Sequence, residues 1–300
     1  MSAGGLWRRL TRGVTRLWHR ADWPAFAGTE YADRIMDVAV TDRYHAKQGR
    51  STGRWVLRSG ERTLVVYLKR HRQLPWWTRL LATLWPRGGW SPAWREWEHL
   101  NWARGHGIPA PEPIAVGERI GPWLRLESFL AVAELTAMIP LHEAVPQAAE
   151  QLDPAVFRRW KRLVIDEIAR LARLLHADHR YHKDFYLCHF FVAQTDWTNV
   201  RTCAGRISLI DLHRLGRHRW TGWHWRVKDL AQLLYSSAIP GVDDRDRLRF
   251  FRAYRGQRRL DVAGRRLLRR VLTKAGRYRR HNAKRTGGVP AAPRQEAVRV

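Results

Sequence analysis

The stretch that opens at Asp153-Pro154 limits what this chain can fold into more than any other. Phe157, Trp160, Leu163, Val164, Ile168, Leu171, Leu174 and Leu175 recur at helical spacing on one stripe. Aspartate followed by proline is a helix start: the carboxylate accepts first-turn N–H groups that have no partner within the helix, and proline at the first position loses no hydrogen bond. A helix with so broad an apolar face has to bury it, so the second half of the chain is expected to be a helical lobe organised around this segment. Further helices are expected near residues 226–238, 243–254 and 263–280, and short apolar runs at 190–193 and 207–210 flank a polar turn.

The first half has a different grain. Residues 35–40, 54–58 and 63–68 are short, rich in β-branched and aromatic side chains, and separated by turns that contain glycine, which predicts a small antiparallel sheet. Leu64, Val66 and Leu68 alternate with Val65, Tyr67 and Lys69, so Lys69 is presented at a strand end. Ser91-Pro92 then opens a helix running to about Arg104, which Gly105, Gly107 and Pro109 terminate; strands are expected at 113–116 and 123–127. Between sheet and helix lies a Trp-rich, basic insertion at 70–90, carrying Trp76, Trp77, Leu80, Leu81, Leu84, Trp85 and Trp90. It either rests at a membrane interface, where tryptophan keeps its ring apolar and its N–H wet, or packs within its lobe. The division expected is a basic amphipathic segment at 1–30, a sheet lobe at 31–130, a helical lobe at 131–285 and a flexible tail at 286–300.

Charge sets the next limits. Lys and Arg number 55 against 27 Asp and Glu, a formal excess of +28, and there are 17 tryptophans. An apolar fraction of 45% is ordinary for a packed globule and rules out disorder for most of the chain. No apolar run is long enough to span a bilayer. Cys188 and Cys203 are too few and too isolated for a disulfide scaffold or a four-thiolate zinc site. Leu6, Trp7, Leu10, Val14, Leu17 and Trp18 recur at helical spacing and are interrupted by Arg8, Arg9, Arg12, Arg16 and Arg20. This predicts an amphipathic basic helix, docked on its own domain or lying on a membrane surface, followed by a linker at 21–30. The run from Arg258 to Arg285 would form a cationic helix face, but no zinc-finger spacing or RNP motif accompanies it. A basic stripe alone gives electrostatics and not sequence readout, so nucleic-acid binding is the weaker reading.

The residues that carry chemistry come in one particular order: Lys69 at a strand end, Glu96 on the following helix, His182-Lys183-Asp184 after the long helix, and Asp211 after an apolar strand. Each alone is weak; together they resemble the protein-kinase-like layout. The strings KQGRSTGR, VVYLKRH, SPAWREWEHL, GIPAPEP, YHKDFYLCHFFV, LIDLHRL and KDLAQLLYSS are similar to the bacterial lipopolysaccharide kinase family, over roughly residues 44–254.

That resemblance implies an α+β, bilobal fold, with a small antiparallel-sheet N-lobe and a mainly helical C-lobe. It implies an ATP- and Mg2+-dependent kinase that phosphorylates a sugar hydroxyl, a heptose above all, of the lipopolysaccharide inner core. The implied place is the cytoplasmic face of the inner membrane, in peripheral contact with an anionic surface that the basic charge suits. Lys69 would reach the nucleotide phosphates and Glu96 would hold it, in preference to Glu98, which lies about 200° away around the helix. Asp184 would take the acceptor hydroxyl's proton, His182 would support its loop, and Asp229 would brace that loop through backbone amides. Asp211, in DLH where protein kinases have DFG, would chelate the metal. His189 stands where protein kinases carry a magnesium-binding asparagine. Because imidazole is a soft ligand for so hard an ion, it is a metal or phosphate contact or a packing residue. Gly49, Arg50, Ser51, Thr52 and Gly53 make either the loop that covers the nucleotide, with Gly49 and Gly53 bracketing a turn, or a plain polar hairpin. Residues 127–130 fall where the hinge should meet adenine. A non-catalytic scaffold of the same fold is the remaining alternative; retention of Lys69, Asp184 and Asp211 argues against it.

Overall fold

The computed structural model describes residues 3–285 apart from 40, 48, 87 and 200. The chain forms two compact units, residues 1–102 with 111–135, and residues 103–110 with 136–300. The expected tail at 286–300 lies outside the described residues.

In chain order the first unit contains α1 (Ala3–Thr11), β1 (Val14–His19), α2 (Trp23–Ala27), α3 (Tyr31–Arg34), β2 (Thr41–Lys47), β3 (Arg50–Ser59), β4 (Arg62–His71), α4 (Trp76–Leu84) and α5 (Pro92–Gly105). It closes with β5 (Pro113–Ile120) and β6 (Leu126–Ala133). The six strands form one antiparallel sheet in the order β1-β5-β6-β4-β3-β2. Val66 and Leu68 of β4 face a core with Ile114, Ala115, Phe129 and Ala131, as alternation along the strand requires.

The N-terminal segment departs from the single helix its periodicity predicts. Helix α1 stops where the N–H groups of Arg12 and Gly13 both reach Arg8 O, and Gly13 takes φ +79°. The β-branched Val14 and Thr15 then start a strand that pairs with β5 from Val14↔Ile120 to His19↔Ala115. The expected linker is a core element: Trp23, Tyr31 and Ile35 are buried against the sheet. Tyr31 meets Trp23 and Phe129 edge-on at 5.7 and 6.2 Å. Pro24 and Gly28 break the periodicity there, which hides the burial from a pattern reading. Ile35 accordingly follows α3 and does not begin a strand.

The insertion is shorter than expected, since Arg70 and His71 are the buried last residues of β4. Its helix α4 buries Thr78, Ala82 and Thr83 and leaves Trp76 and Trp77 exposed, with Trp85 exposed just beyond it. Arg9 Nε donates to Thr83 O at 2.6 Å, which fastens α1 to α4. Strand β6 also runs further than expected. Residues 127–130 sit inside it, all paired with β5 and residues 128–130 also with β4, so their backbone cannot serve as a hinge; the chain crosses to the second unit at 135–136.

The second unit continues with β7 (Met138–Pro140), α6 (Leu141–Gln151), α7 (Pro154–Ala177), β8 (Arg180–Tyr181), β9 (Phe190–Ala193), α8 (Asp196–Asn199), β10 (Ile207–Leu209) and β11 (Gly216–Arg217). Three helices complete it: α9 (Gly222–Ser236), α10 (Asp244–Arg255) and α11 (Val262–Arg285). Asp153 caps α7, accepting from Ala155 N at 2.7 Å and Val156 N at 3.3 Å. The stripe on α7 buries Phe157, Trp160, Val164, Ile168, Leu171 and Leu175; α10 packs on α7 and α11 on α9. Strands β10, β9 and β7 form a three-stranded sheet and β11 pairs with β8.

Candidate active site

Each unit carries one constellation. In the first, Lys69 lies on β4 opposite Thr52 of β3 and Leu130 of β6. Its Nζ is 2.6 Å from Glu96 Oε1, and Glu96 is buried on α5 with Oε2 left without a hydrogen-bond partner. Ser91 opens that helix, its Oγ accepting from Trp94 N–H at 3.3 Å. A carboxylate buried this way is tolerated because the ammonium neutralises it, and the pair in turn fixes where the ammonium sits.

The hairpin at 49–53 differs from its expected form. Gly49 lies in the turn, with φ +74°, and a Cβ there would come within 2.5 Å of Gln73 Cβ. Arg50, Ser51, Thr52 and Gly53 already belong to β3, and Gly53 is buried opposite Leu68, so it does not bracket a turn. Ser51 Oγ accepts from Arg70 Nε at 3.1 Å.

In the second unit a loop at 182–189 is held by one face of α9. Asp229, fully buried, accepts from the N–H groups of His182 and Lys183, both at 2.8 Å. Gln232 Oε1 accepts from Phe185 N–H at 3.1 Å, its Nε2 donates to Lys183 O at 3.1 Å, and Ser236 Oγ accepts from Leu187 N–H at 3.0 Å. Gln232 and Ser236 escaped the sequence reading. The available signal was their spacing from Asp229 at i+3 and i+7, a polar line on an otherwise apolar helix face.

His182 is buried, and its Nε2–H donates to Ile210 O at 3.0 Å, tying the loop to the end of β10. Burial, with His189 nearby, pushes its pKa down, so the ring is neutral and supports rather than reacts. His189 Nδ1–H donates to Asp184 O at 2.6 Å, and its Nε2 lies 3.9 Å from Asp211 Oδ2. Burial works against charge on this ring, but the Cys188 side chain and the Asp211 carboxylate outweigh it and raise the pKa to about 9. Asp211 has φ +62°, which turns its carboxylate off the end of β10, and the His213 ring bonds to its Oδ1. Lys183 is likewise left-handed, at φ +69°. A non-glycine residue in that region costs roughly 1–3 kcal/mol; at Lys183 the hydrogen bond from its own N–H to Asp229 helps to hold the conformation. Asp184 itself is partly exposed, and Arg214 Nη1 donates to its Oδ2 at 2.8 Å.

Sheet-bound lysine, helix glutamate, braced aspartate loop and strand-end aspartate define a kinase-like phosphotransferase. The chain belongs to the lipopolysaccharide kinase (Kdo/WaaP) family, whose pattern matches residues 44–254. It is 33% identical over 205 residues to the lipopolysaccharide core heptose(I) kinase WaaP of Pseudomonas aeruginosa, covering 67% of this chain and 74% of that one. Identity to WaaP of Escherichia coli K12 is also 33%, over 54% of this chain and 59% of the relative. A solved structure of WaaP in complex with acyl carrier protein superposes with a TM-score of 0.64 at 28% identity, covering 87% of this chain and 98% of that one.

Proposed function

We propose that this chain transfers the γ-phosphoryl group of ATP to a heptose hydroxyl of the lipopolysaccharide inner core. The acceptor oxygen forms a bond to the γ-phosphorus, the bond to the β-phosphate bridging oxygen breaks, ADP leaves, and the hydroxyl proton passes to Asp184. An alcohol needs that proton removed as the new bond forms, which a carboxylate at hydrogen-bond distance accomplishes. Lys69, steadied by Glu96, binds the nucleotide α- and β-phosphates, and the 49–53 hairpin offers Arg50 and Thr52 beside it. The observation that carries the reading is the loop at 182–189, where three side chains of α9 accept from the backbone N–H groups of His182, Lys183, Phe185 and Leu187 on either side of Asp184.

The donor set fits magnesium at Asp211. Among the described residues no three His, Cys, Asp or Glu side chains gather to cage a metal, and magnesium at kinase sites is held by one or two carboxylates with phosphate oxygens and water completing the shell. When bound it would neutralise charge on the phosphates. His189, whose Nε2 lies 3.9 Å from Asp211 Oδ2, fits as a hydrogen-bond donor beside Asp211 better than as a ligand, because imidazole is a soft donor for so hard an ion.

The site of action proposed is the cytoplasmic face of the inner membrane, with peripheral attachment. No helix among the described residues is long and apolar enough to cross a membrane. Trp7 on α1, Trp76 and Trp77 on α4, and Trp123, whose backbone N–H donates to Leu10 O, are all exposed, and α1 is fastened to α4 by Arg9 and Thr83. Such a surface suits the boundary of an anionic bilayer.

The test is transfer from labelled ATP to purified core oligosaccharide. Asp184→Asn is expected to lower kcat by roughly 10²- to 10⁴-fold with an unchanged melting curve; full activity in that variant would defeat the assignment.

A further inference from the structure

Within the second unit, Asp184 stands among cations that its role as a base does not require. Arg214 is 53% exposed, so water is available to its guanidinium, yet Nη1 is spent on Asp184 Oδ2 at 2.8 Å. Lys228, one residue before Asp229 on α9, is half-buried over the Trp225 ring, 5.4 Å from its centre, with no ion-pair partner among the described residues. Burial lowers its pKa; Asp184 is the largest favourable charge it feels, and Arg214 and Lys274 oppose it. Lys183 is a different case. Its Nζ lies 4.9 Å from the Trp225 ring centre and so close to Gly216 that a Cβ there would meet it at 2.5 Å, so it is packed against β11.

One of the two carboxylate oxygens able to receive the acceptor's proton is therefore engaged by a guanidinium at rest. The remaining N–H groups of Arg214, a side chain 53% exposed, and the ammonium of Lys228 lie to hand. A guanidinium fork matches a carboxylate or a phosphate in two parallel hydrogen bonds, and a neighbouring lysine adds a point charge. We propose that Arg214 and Lys228 form a subsite for a carboxylate or phosphate that the acceptor carries beside its reacting hydroxyl, with Arg214 passing from Asp184 to that anion as the acceptor binds. The acceptor would in this way release its own base, and a neutral sugar would leave Asp184 engaged. This inference rests on the proposed transfer to a lipopolysaccharide core sugar.

The experiment is steady-state kinetics of the full chain on three acceptors: core oligosaccharide, the same material with carboxylates reduced to alcohols, and the same material with phosphates removed. The unaltered chain is expected to prefer the native acceptor over one of the treated ones, and that one identifies the anion. Arg214→Met is expected to raise the acceptor KM by roughly 10- to 100-fold on the native material, the size of a lost charge-assisted contact. It should leave the KM for ATP within about twofold and abolish the preference. Lys228→Met should act in the same direction, and Arg214→Lys, which keeps charge and stem, should restore part of the loss. A change confined to the KM for ATP would place Arg214 on the nucleotide and overturn the subsite. So would a preference that survives Arg214→Met, or a kcat that rises with acceptor KM unchanged. If the unaltered chain phosphorylates none of the three acceptors, the transfer reading fails and takes the subsite with it.

Discussion

At the scale of single residues, Lys69 and Glu96 show how a buried pair serves a site and the fold together. Removing only the cation strands a carboxylate in the interior, where an unpaired charge costs about 3–5 kcal/mol, whereas replacing both partners with apolar side chains can be close to neutral. Lys69→Met should therefore lower the unfolding free energy by about that amount in urea titrations, and Lys69→Met with Glu96→Leu should recover most of it while remaining inactive. Equal stability of the single variant and the natural chain would show that Glu96 is relieved by another group. Lys69, Asp184, Asp211 and Asp229 were legible as residue types in a fixed order. Arg214 was not: a side chain next to a motif has no periodicity that announces a partner thirty positions upstream, and only folding brings the two together.

At the scale of elements, the joint between α7, α9 and α10 holds a titratable core. His176 Nε2 faces Asp229 Oδ2 at 3.4 Å and its Nδ1 lies 2.9 Å from the Tyr254 hydroxyl. Asp229 can only accept, so Nε2 carries the proton and Nδ1 accepts from Tyr254, whose pKa burial pushes up to about 12. For His176, burial lowers the pKa below the ordinary value of 6.5; Asp229 opposes the shift and Arg226 reinforces it, but desolvation prevails. The unfolded chain thus binds the proton at higher pH than the folded one. Stability from this group is complete above about 6.5 and falls as pH drops from there towards the folded pKa. Melting temperatures should decline over that window, and His176→Gln should flatten the decline; an identical slope in the variant would move its origin elsewhere. In the same joint, Asp229→Ala should cost about 2–5 kcal/mol and expose the His182 and Lys183 amides to hydrogen exchange, because two buried donors lose their acceptor.

At the scale of the whole molecule, the +28 excess is spread over surfaces with different uses. Helix α11 buries Leu267, Val271 and Ala275 and turns Arg265, Arg266, Arg269 and Arg270 outward. At the N-terminus the arginines divide. Arg9 bonds to Thr83 O, and Arg16 pairs with Glu118 at 2.7 Å and covers the Trp94 ring at 4.0 Å, whereas Arg8 and Arg12 are exposed. If α1 and α4 rest on anionic lipid, Arg8→Gln with Arg12→Gln should weaken sedimentation with phosphatidylglycerol vesicles by roughly 10- to 30-fold, about 1 kcal/mol for each charge. Trp7→Ser with Trp76→Ser should weaken it further, and binding untouched by all four changes would count against this surface.

What the chain's local pattern determined on its own was whatever depends on neighbours in sequence. The capped, striped helix at Pro154–Ala177, the Ser91-Pro92 start of α5, and the ordered motif residues were all readable from spacing. Tertiary structure decided the rest. Val14 to His19 became an edge strand because β5 offered unpaired backbone groups, and Trp23, Tyr31 and Ile35 became core because the sheet offered an apolar face. It also decided that Gln232 and Ser236 hold the loop at 182–189 and that Arg214 rests on Asp184. Periodicity reports which way a side chain faces along its own element, and the identity of what it faces is settled only when distant segments pack.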